Sequence, residues 1–454
     1  MKQAVRIVLG LFICIFFGSL SAQTIDWQWS YGYGSNSQDY GQDIMIDDAG
    51  SVFVTGRFQG TTIFGSTSLT SSGYDDAFIA KLDGQGNYIW VKKAGGTSYD
   101  IGYSISTDNV GNCYVAGYFQ GTSTFGSINL SAGAGDIFVT KLNAEGDFLW
   151  AKKAGWGSSN DRGYGIAVDS AGNSYVTGYF TGTATFGSFS LISNGGNDVF
   201  VAKLDTNGNW LWATKAGGTT HDYGYSVDID SSGSIYVTGC ILSTASFGDI
   251  TLTSSSMDIF VGKLDSSGNW LWAKRVGGSQ TGDCGYGLTT DINGNSYITG
   301  SFLGSATFDT ITLSSSGNYD VFVAKIDTNG SWQWAKKIGG TGSDIGLAIG
   351  LDIDGNSYVT GSFSGSVLFG TTNLTSIGGK DLFCAKFDNS GNTIRAHGVG
   401  AVSNDEGYSI TIDSSGNSYI TGYFSDGATF GNVILPSNGS YDIFCSQTRS
   451  NIRR

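Results

Sequence analysis

The chain holds two histidines, His221 and His397, as its whole supply of side chains that titrate near neutral pH without help. Neither has a partner that the sequence places. Acidic groups are plentiful, but they are periodic. Asp47, Asp108, Asp169, Asp230, Asp291, Asp352 and Asp413 follow one another at steps of 61 residues. Asp39, Asp100, Asp161, Asp222, Asp283, Asp344 and Asp405 keep the same step. Oxygen ligands of this kind suit Ca²⁺, and seven carboxylates at each end of a repeated strand leave room for weak Ca²⁺ binding at the mouth of a central channel. The stronger reading is structural, because Asp followed by Gly opens tight turns, and no Asp-x-Asp-x-Asp-Gly loop occurs. Of six cysteines, five lie beyond residue 22, an odd count with no Cys-x-x-Cys or Cys/His cluster, which gives neither a disulfide framework nor a zinc site. Paired carboxylates for acid–base work cannot be singled out. No catalytic constellation, metal site or other cofactor is expected.

Chemistry is better sought where the repeat breaks. Tyr99, Trp156, Asn160, Arg162, His221 and Glu406 fall in or beside the most variable loops of the array. Trp156 replaces a glycine and lies outside the tryptophan pattern of the other repeats. With Arg162 it is a candidate ligand-contact patch, the competing reading being packing against a neighbouring connection. Arg395 stands where six other repeats have Trp29, Trp90, Trp150, Trp212, Trp272 and Trp334, and His397 follows two residues on. The six tryptophans read as packing, since each buries about 150–250 Å².

The elements that must hold these residues follow from the repeat itself. A period of this length is one supersecondary unit in an array. In residues 161–222, the run Asp161–Asp169 ends in strand A, Ser174–Phe180 is strand B, Asp198–Leu204 strand C and Trp210–Lys215 strand D. Asp-x-x-Gly turns join A to B and C to D. The longer B-to-C connection carries Phe186 and Leu191, matched in every unit by pairs such as Phe64 and Leu69 or Phe125 and Leu130. It predicts a small extra hairpin with Phe and Leu turned inward. Strands A to C are apolar on both parities, as expected of a sheet covered on both faces. Nothing has helical periodicity.

Four strands repeated seven times predict an all-β, seven-bladed β-propeller. Residues 25–31, with Trp29 ten residues before Asp39, read as a lone D strand, and the last unit supplies only A, B and C. The N-terminal strand therefore completes the last blade and closes the ring, whereas an open solenoid needs caps. The run Gly-Tyr-Gly-Ile-Ala-Val-Asp-Ser-Ala-Gly-Asn-Ser-Tyr-Val-Thr-Gly, residues 163–178, resembles the bacterial β-propeller repeat labelled SBBP. It is more distantly similar to NHL-type propeller repeats. The resemblance spans about residues 24–446 and implies a propeller in an exported bacterial protein. It implies no catalytic residue, because the motif it rests on is structural.

Composition bounds the function. Charge is sparse at 14%, and the net charge of −14 disfavours nucleic acid and anionic membrane surfaces as partners. Residues 1–22 read as a cleaved signal peptide, with Lys2 and Arg6 before an apolar run too short for a comfortable span. The mature chain is then a propeller over 24–446 with a polar tail, 447–454. It is expected to be secreted, periplasmic or at the cell surface, without a membrane span, and monomeric. The expected role is a scaffold that binds an extracellular protein or carbohydrate through its loop face. The alternative is an extracellular polysaccharide hydrolase or lyase using acidic residues on that face.

Overall fold

The computed structural model describes residues 26–157 and 159–449. The signal peptide expected at 1–22 lies outside them. Seven blades of four antiparallel strands surround a central axis, with strand A innermost and strand D outermost. Helix is absent from the described residues, so none of them crosses a membrane as a helix. Blade three shows the unit: strand A is Arg162–Val168, B and C run within Ser174–Phe186 and Phe189–Leu204, and D is Trp210–Gly218.

The Asp-x-x-Gly pattern fixes the turns by backbone chemistry. Asp169 accepts the N–H of Asn173 on Oδ1 at 2.9 Å and the Asn173 amide on Oδ2 at 2.8 Å, while Gly172 supplies the left-handed residue at φ 81°. Apolar residues fill the space between blades. Phe180, Phe186, Phe200 and Val176 of blade three are buried against Tyr114, Ile137 and Val139 of blade two. Strands B and C carry most of this core, which explains why they are apolar on both parities.

The extra hairpin forms in every blade. Its phenylalanine is buried throughout, from Phe64 to Phe430, whereas most of its leucines are half-buried at the rim. It reaches backwards: Thr122–Phe125 of blade two pairs with strand D of blade one, Ala94 facing Phe125. Each hairpin thus tethers its own blade to the one before it.

Strand Asp26–Tyr33 closes the ring. It is strand D of blade seven and pairs with Asp442–Arg449, with Tyr31 opposite Cys445 and Trp29 opposite Gln447. Pairing thus continues through Arg449, three residues past the expected propeller end at 446. The five described cysteines, Cys113, Cys240, Cys284, Cys384 and Cys445, are buried and form no disulfide, filling the core as small hydrophobes.

Candidate functional site

Strands A enclose a channel containing a cavity of about 420 Å³. Each strand A has a bulge two residues after its start, as at Gly163/Gly165. The bulge turns the intervening side chain inward. That side chain is Tyr103, Tyr164, Tyr225 and Tyr286 in blades two to five and Tyr408 in blade seven. The first four make consecutive ring contacts at 4.9, 5.3 and 5.1 Å. An aromatic collar therefore narrows the channel. Below it, Asp43 takes hydrogen bonds from Ser104 Oγ and the Ile105 N–H, both 2.8 Å, and from Ser409. Asp228 takes the Thr290 N–H at 2.8 Å and its hydroxyl at 3.0 Å. Burial raises the pKa of both carboxyls. They stitch adjacent A strands together.

The loop face lies at the collar end. The D-to-A loops and B-to-C connections meet there through backbone bonds, such as Asp222 N–H to Asn197 O at 2.7 Å and Asp344 N–H to Tyr319 O at 2.7 Å. The first acidic ring belongs to this join. Asp222 accepts the Gly218 N–H at 2.8 Å on one oxygen and the Leu242 N–H at 2.9 Å on the other. Asp344 and Asp405 repeat the arrangement. These carboxyls are buried and already occupied by backbone donors. Among the described residues no group of three or more acidic, His or Cys side chains gathers as a metal site. Both oxygens of each of these three carboxyls are thus committed to backbone donors.

A second buried aspartate faces each of these from the preceding blade. A Cβ added at Gly95 would meet both Asp76 and Asp100, and one added at Gly155 would meet both Asp136 and Asp161. Burial, opposed by hydrogen bonds and reinforced by the facing carboxylate, pushes Asp100, Asp161, Asp283 and Asp405 up to about 7 and Asp222 and Asp344 to about 6. Lys93, Lys153, Lys215, Arg275 and Lys337 each pair with the preceding-blade member. This second series was missed in the sequence because Asp at the start of strand C reads as an ordinary turn residue.

The sequence candidates fall in three places. Asn160, Arg162 and His221 belong to one continuous surface. The Arg162 guanidinium donates from Nη1 to the Tyr103 hydroxyl at 2.8 Å, also bonds Tyr164, and lies 5.0 Å over the Tyr118 ring. Tyr118 donates its hydroxyl to Asn160 Oδ1 at 3.2 Å. Tyr164 leads through Tyr179 and Tyr223 to the exposed His221, whose Nδ1 accepts the Asn197 N–H at 3.2 Å. Glu406 lies in blade seven and pairs with Lys380 at 3.0 Å. Tyr99 is 42% exposed and stacks at 4.8 Å on Tyr74, itself 55% exposed. Sequence reasoning does not single out the tyrosines of this surface, although the recurrent Gly-Tyr pair at residues 102, 163, 224, 285 and 407, followed by Gly or Ser, carries the signal in part.

Trp156 is 64% exposed at the outer end of the loop that also carries Asn160. Its exposure has a steric cause. At four of the six matching positions, Gly96, Gly218, Gly278 and Gly340 (the others hold the small Ser35 and Ala401), an added Cβ would lie within about 2 Å of a carbonyl oxygen of the next hairpin: 2.0, 1.9, 2.0 and 2.0 Å. A tryptophan cannot enter that space. Strand pairing accordingly stops at the Gly155–Thr185 bridge, and the indole is turned out to solvent rather than packed on a neighbouring connection. Arg395 is buried on strand D of blade six, and His397 is half-buried on the same strand opposite Cys384. Both lie away from the loop face.

Five segments of the chain, 89–118, 149–182, 271–301, 333–364 and 399–423, match the SBBP β-propeller repeat. The chain is also similar to an uncharacterised WD repeat-containing protein of Acanthamoeba polyphaga mimivirus, 25% identical over 87% of this chain and 36% of that protein. A regulatory protein of Caulobacter vibrioides, FlaEY, is 27% identical over 35% of this chain and 17% of its own length. The chain thus spans about a third or less of these relatives. Among solved structures it is similar to Sqt1 of Chaetomium thermophilum, at TM-score 0.45 and 9% identity over 94% of this chain and 100% of that one. It is also similar to XC5397, a gluconolactonase of Xanthomonas campestris, at TM-score 0.35 and 11% identity over 74% and 90%.

Proposed function

We propose that this chain, a β-propeller built of SBBP repeats, is an exported binding scaffold that presents its loop face to a protein or carbohydrate partner. The observation that carries the reading is Trp156. An apolar ring of this size, turned out to water where four other repeats keep glycine and two have Ser35 and Ala401, does nothing for the fold. Loops on a rigid scaffold are where binding residues gather, and exposed aromatic rings supply much of the energy at recognition surfaces. The departures from the repeat at Tyr99, Asn160, Arg162 and His221 share that face.

A hydrolase or lyase would need two carboxylates open to a substrate there. Those of the Asp39 series are buried and bonded to backbone, Asp75 pairs with Arg57 at 2.8 Å, and Glu406 pairs with Lys380. This arrangement favours binding. Export rests on the signal-like residues 1–22, and N-terminal sequencing of the secreted product should begin near residue 23. For binding, a glycan and protein-partner screen on the mature chain is repeated with Trp156→Ala. Binding should fall about tenfold, a typical cost of removing an aromatic anchor, while the melting temperature stays within a degree or so. A Trp156→Ala chain that keeps full binding would refute this reading.

A further inference from the structure

We infer that Arg162 anchors the anionic group of an acidic saccharide at the loop-side mouth of the channel, an inference that rests on the loop-face binding reading above. Arg57, Arg162 and Lys380 stand around this mouth. Arg57 is neutralised by Asp75 at 2.8 Å and Lys380 by Glu406 at 3.0 Å. Arg162 makes no ion pair among the described residues, although the chain carries a net charge of −14. Its guanidinium is half-buried, and Nε is buried without a hydrogen-bond partner. Withdrawing a cation from water without a counter-charge is costly. The facing rings of Tyr118 and Tyr103, at 5.0 and 5.9 Å, offset part of that cost and leave the charge unneutralised.

The surroundings are arranged to donate. Tyr103 accepts from Nη1, so its own hydroxyl proton remains to be given. Asn160 accepts from Tyr118 on Oδ1, which orients its exposed amide and leaves the Nδ2 protons for a ligand. A planar guanidinium flanked by hydroxyl and amide donors matches a carboxylate or sulfate, which takes two parallel hydrogen bonds. The rest of the loop favours a sugar over an acidic peptide as the carrier. Trp156 lies between Gly155 and Gly157, and the adjoining connection runs Gly133, Ala134 and Gly135, bonded to it by Ala134 N–H to Gly157 O. A flat ring in small surroundings offers a face for a sugar ring.

The test is an array of uronate-bearing, sulfated and neutral oligosaccharides probed with the mature chain and with Arg162→Gln, Arg162→Lys, Arg57→Gln and Trp156→Ala, each checked for fold by circular dichroism and melting. The wild type should capture only carboxylated or sulfated members, and methyl esterification of a captured uronate should abolish capture. Arg162→Gln should lose about tenfold or more, Arg162→Lys less, because it keeps the charge but not the fork, and Arg57→Gln little. Capture of neutral members, lost in Trp156→Ala and kept in Arg162→Gln, would overturn this inference and leave the binding reading standing. Arg162-dependent capture of acidic peptides with no saccharide would also overturn it. Failure to bind any member or any protein would overturn both.

Discussion

The indole Nε1 of Trp334 donates to the carbonyl of Asn389, 2.9 Å away in the C–D turn of the following blade. The same bond joins Trp29 to Gly84, Trp90 to Ala144, Trp150 to Thr206, Trp212 to Ser266 and Trp272 to Thr328, at 2.9 to 3.2 Å. One tryptophan per junction thus reaches the next blade. Blade six alone breaks the rule with Arg395, and the closure of the ring explains why. In blade seven, strands C and D come from opposite ends of the chain, so no C–D turn exists to accept an indole.

Two substitutions separate this account from simple hydrophobic packing. Trp334→Ala should destabilise by about 3 kcal/mol through lost packing of the indole and the loss of its bond to the next blade, read as a lowered denaturation midpoint. Arg395→Trp, although it restores the repeat consensus, should give no gain, because its N–H has no turn to bond. A clear rise in midpoint for Arg395→Trp would contradict the explanation.

Closure itself is testable by removing strand D of blade seven. A chain lacking residues 26–33 leaves strand Asp442–Arg449 with an open edge, a template for association. Calorimetry should show a broadened, lowered transition, and light scattering should show oligomers. Adding a peptide of residues 26–33 should reverse both.

The carboxyl pairs between blades set a pH dependence. Asp100, Asp161, Asp283 and Asp405, raised to about 7, and Asp222 and Asp344, raised to about 6, hold protons in the folded chain that an unfolded chain would release. Their contribution is full below the unfolded carboxyl value of about 4 and is lost as pH rises through 6 to 7. The turn aspartates Asp83, Asp108, Asp205, Asp265 and Asp388 have lowered values from Asn and backbone donors, and their contribution is lost as pH falls. Melting temperature should therefore peak near pH 5, at about one unit above the unfolded carboxyl range, and decline toward both pH 3 and pH 8. Asp405→Asn should flatten the alkaline limb. A melting temperature that rises steadily from pH 5 to pH 8 would refute the protonation of these carboxyls in the folded chain.

Burial of the five described thiols predicts slow chemistry. Burial pushes Cys113 and Cys445 up to about 12 and Cys384 to about 11, so little thiolate forms at neutral pH. A thiol reagent such as Ellman's should label none of the five in the native chain and all of them after denaturation.

The architecture was legible because it is written in repeated residues. Each blade must solve the same turn, strand and packing problem, so Asp169, Gly172 and Phe186 return with the period. The site was legible only where a residue violates it, as Trp156 does against glycine. The tyrosine collar escaped notice because tyrosine suits a buried strand as well as a channel, and only the bulge in strand A decides which way Tyr164 points. The Asp76–Asp100 pairing was out of reach for another reason. It joins two blades, and the sequence does not show which carboxylates end up face to face.

The loop face should bind and the turn face should not. Both faces expose large apolar side chains, which makes the comparison fair: Trp156 on the first, Ile292 and Ile353 in the A–B turns of the second. The deciding measurement is the affinity of one captured ligand, by calorimetric titration, for wild type, Trp156→Ala and the Ile292→Ala, Ile353→Ala double variant. The account predicts a loss of about tenfold for Trp156→Ala and none for the double variant. Undiminished affinity in Trp156→Ala, or loss confined to the isoleucine variant, would contradict it.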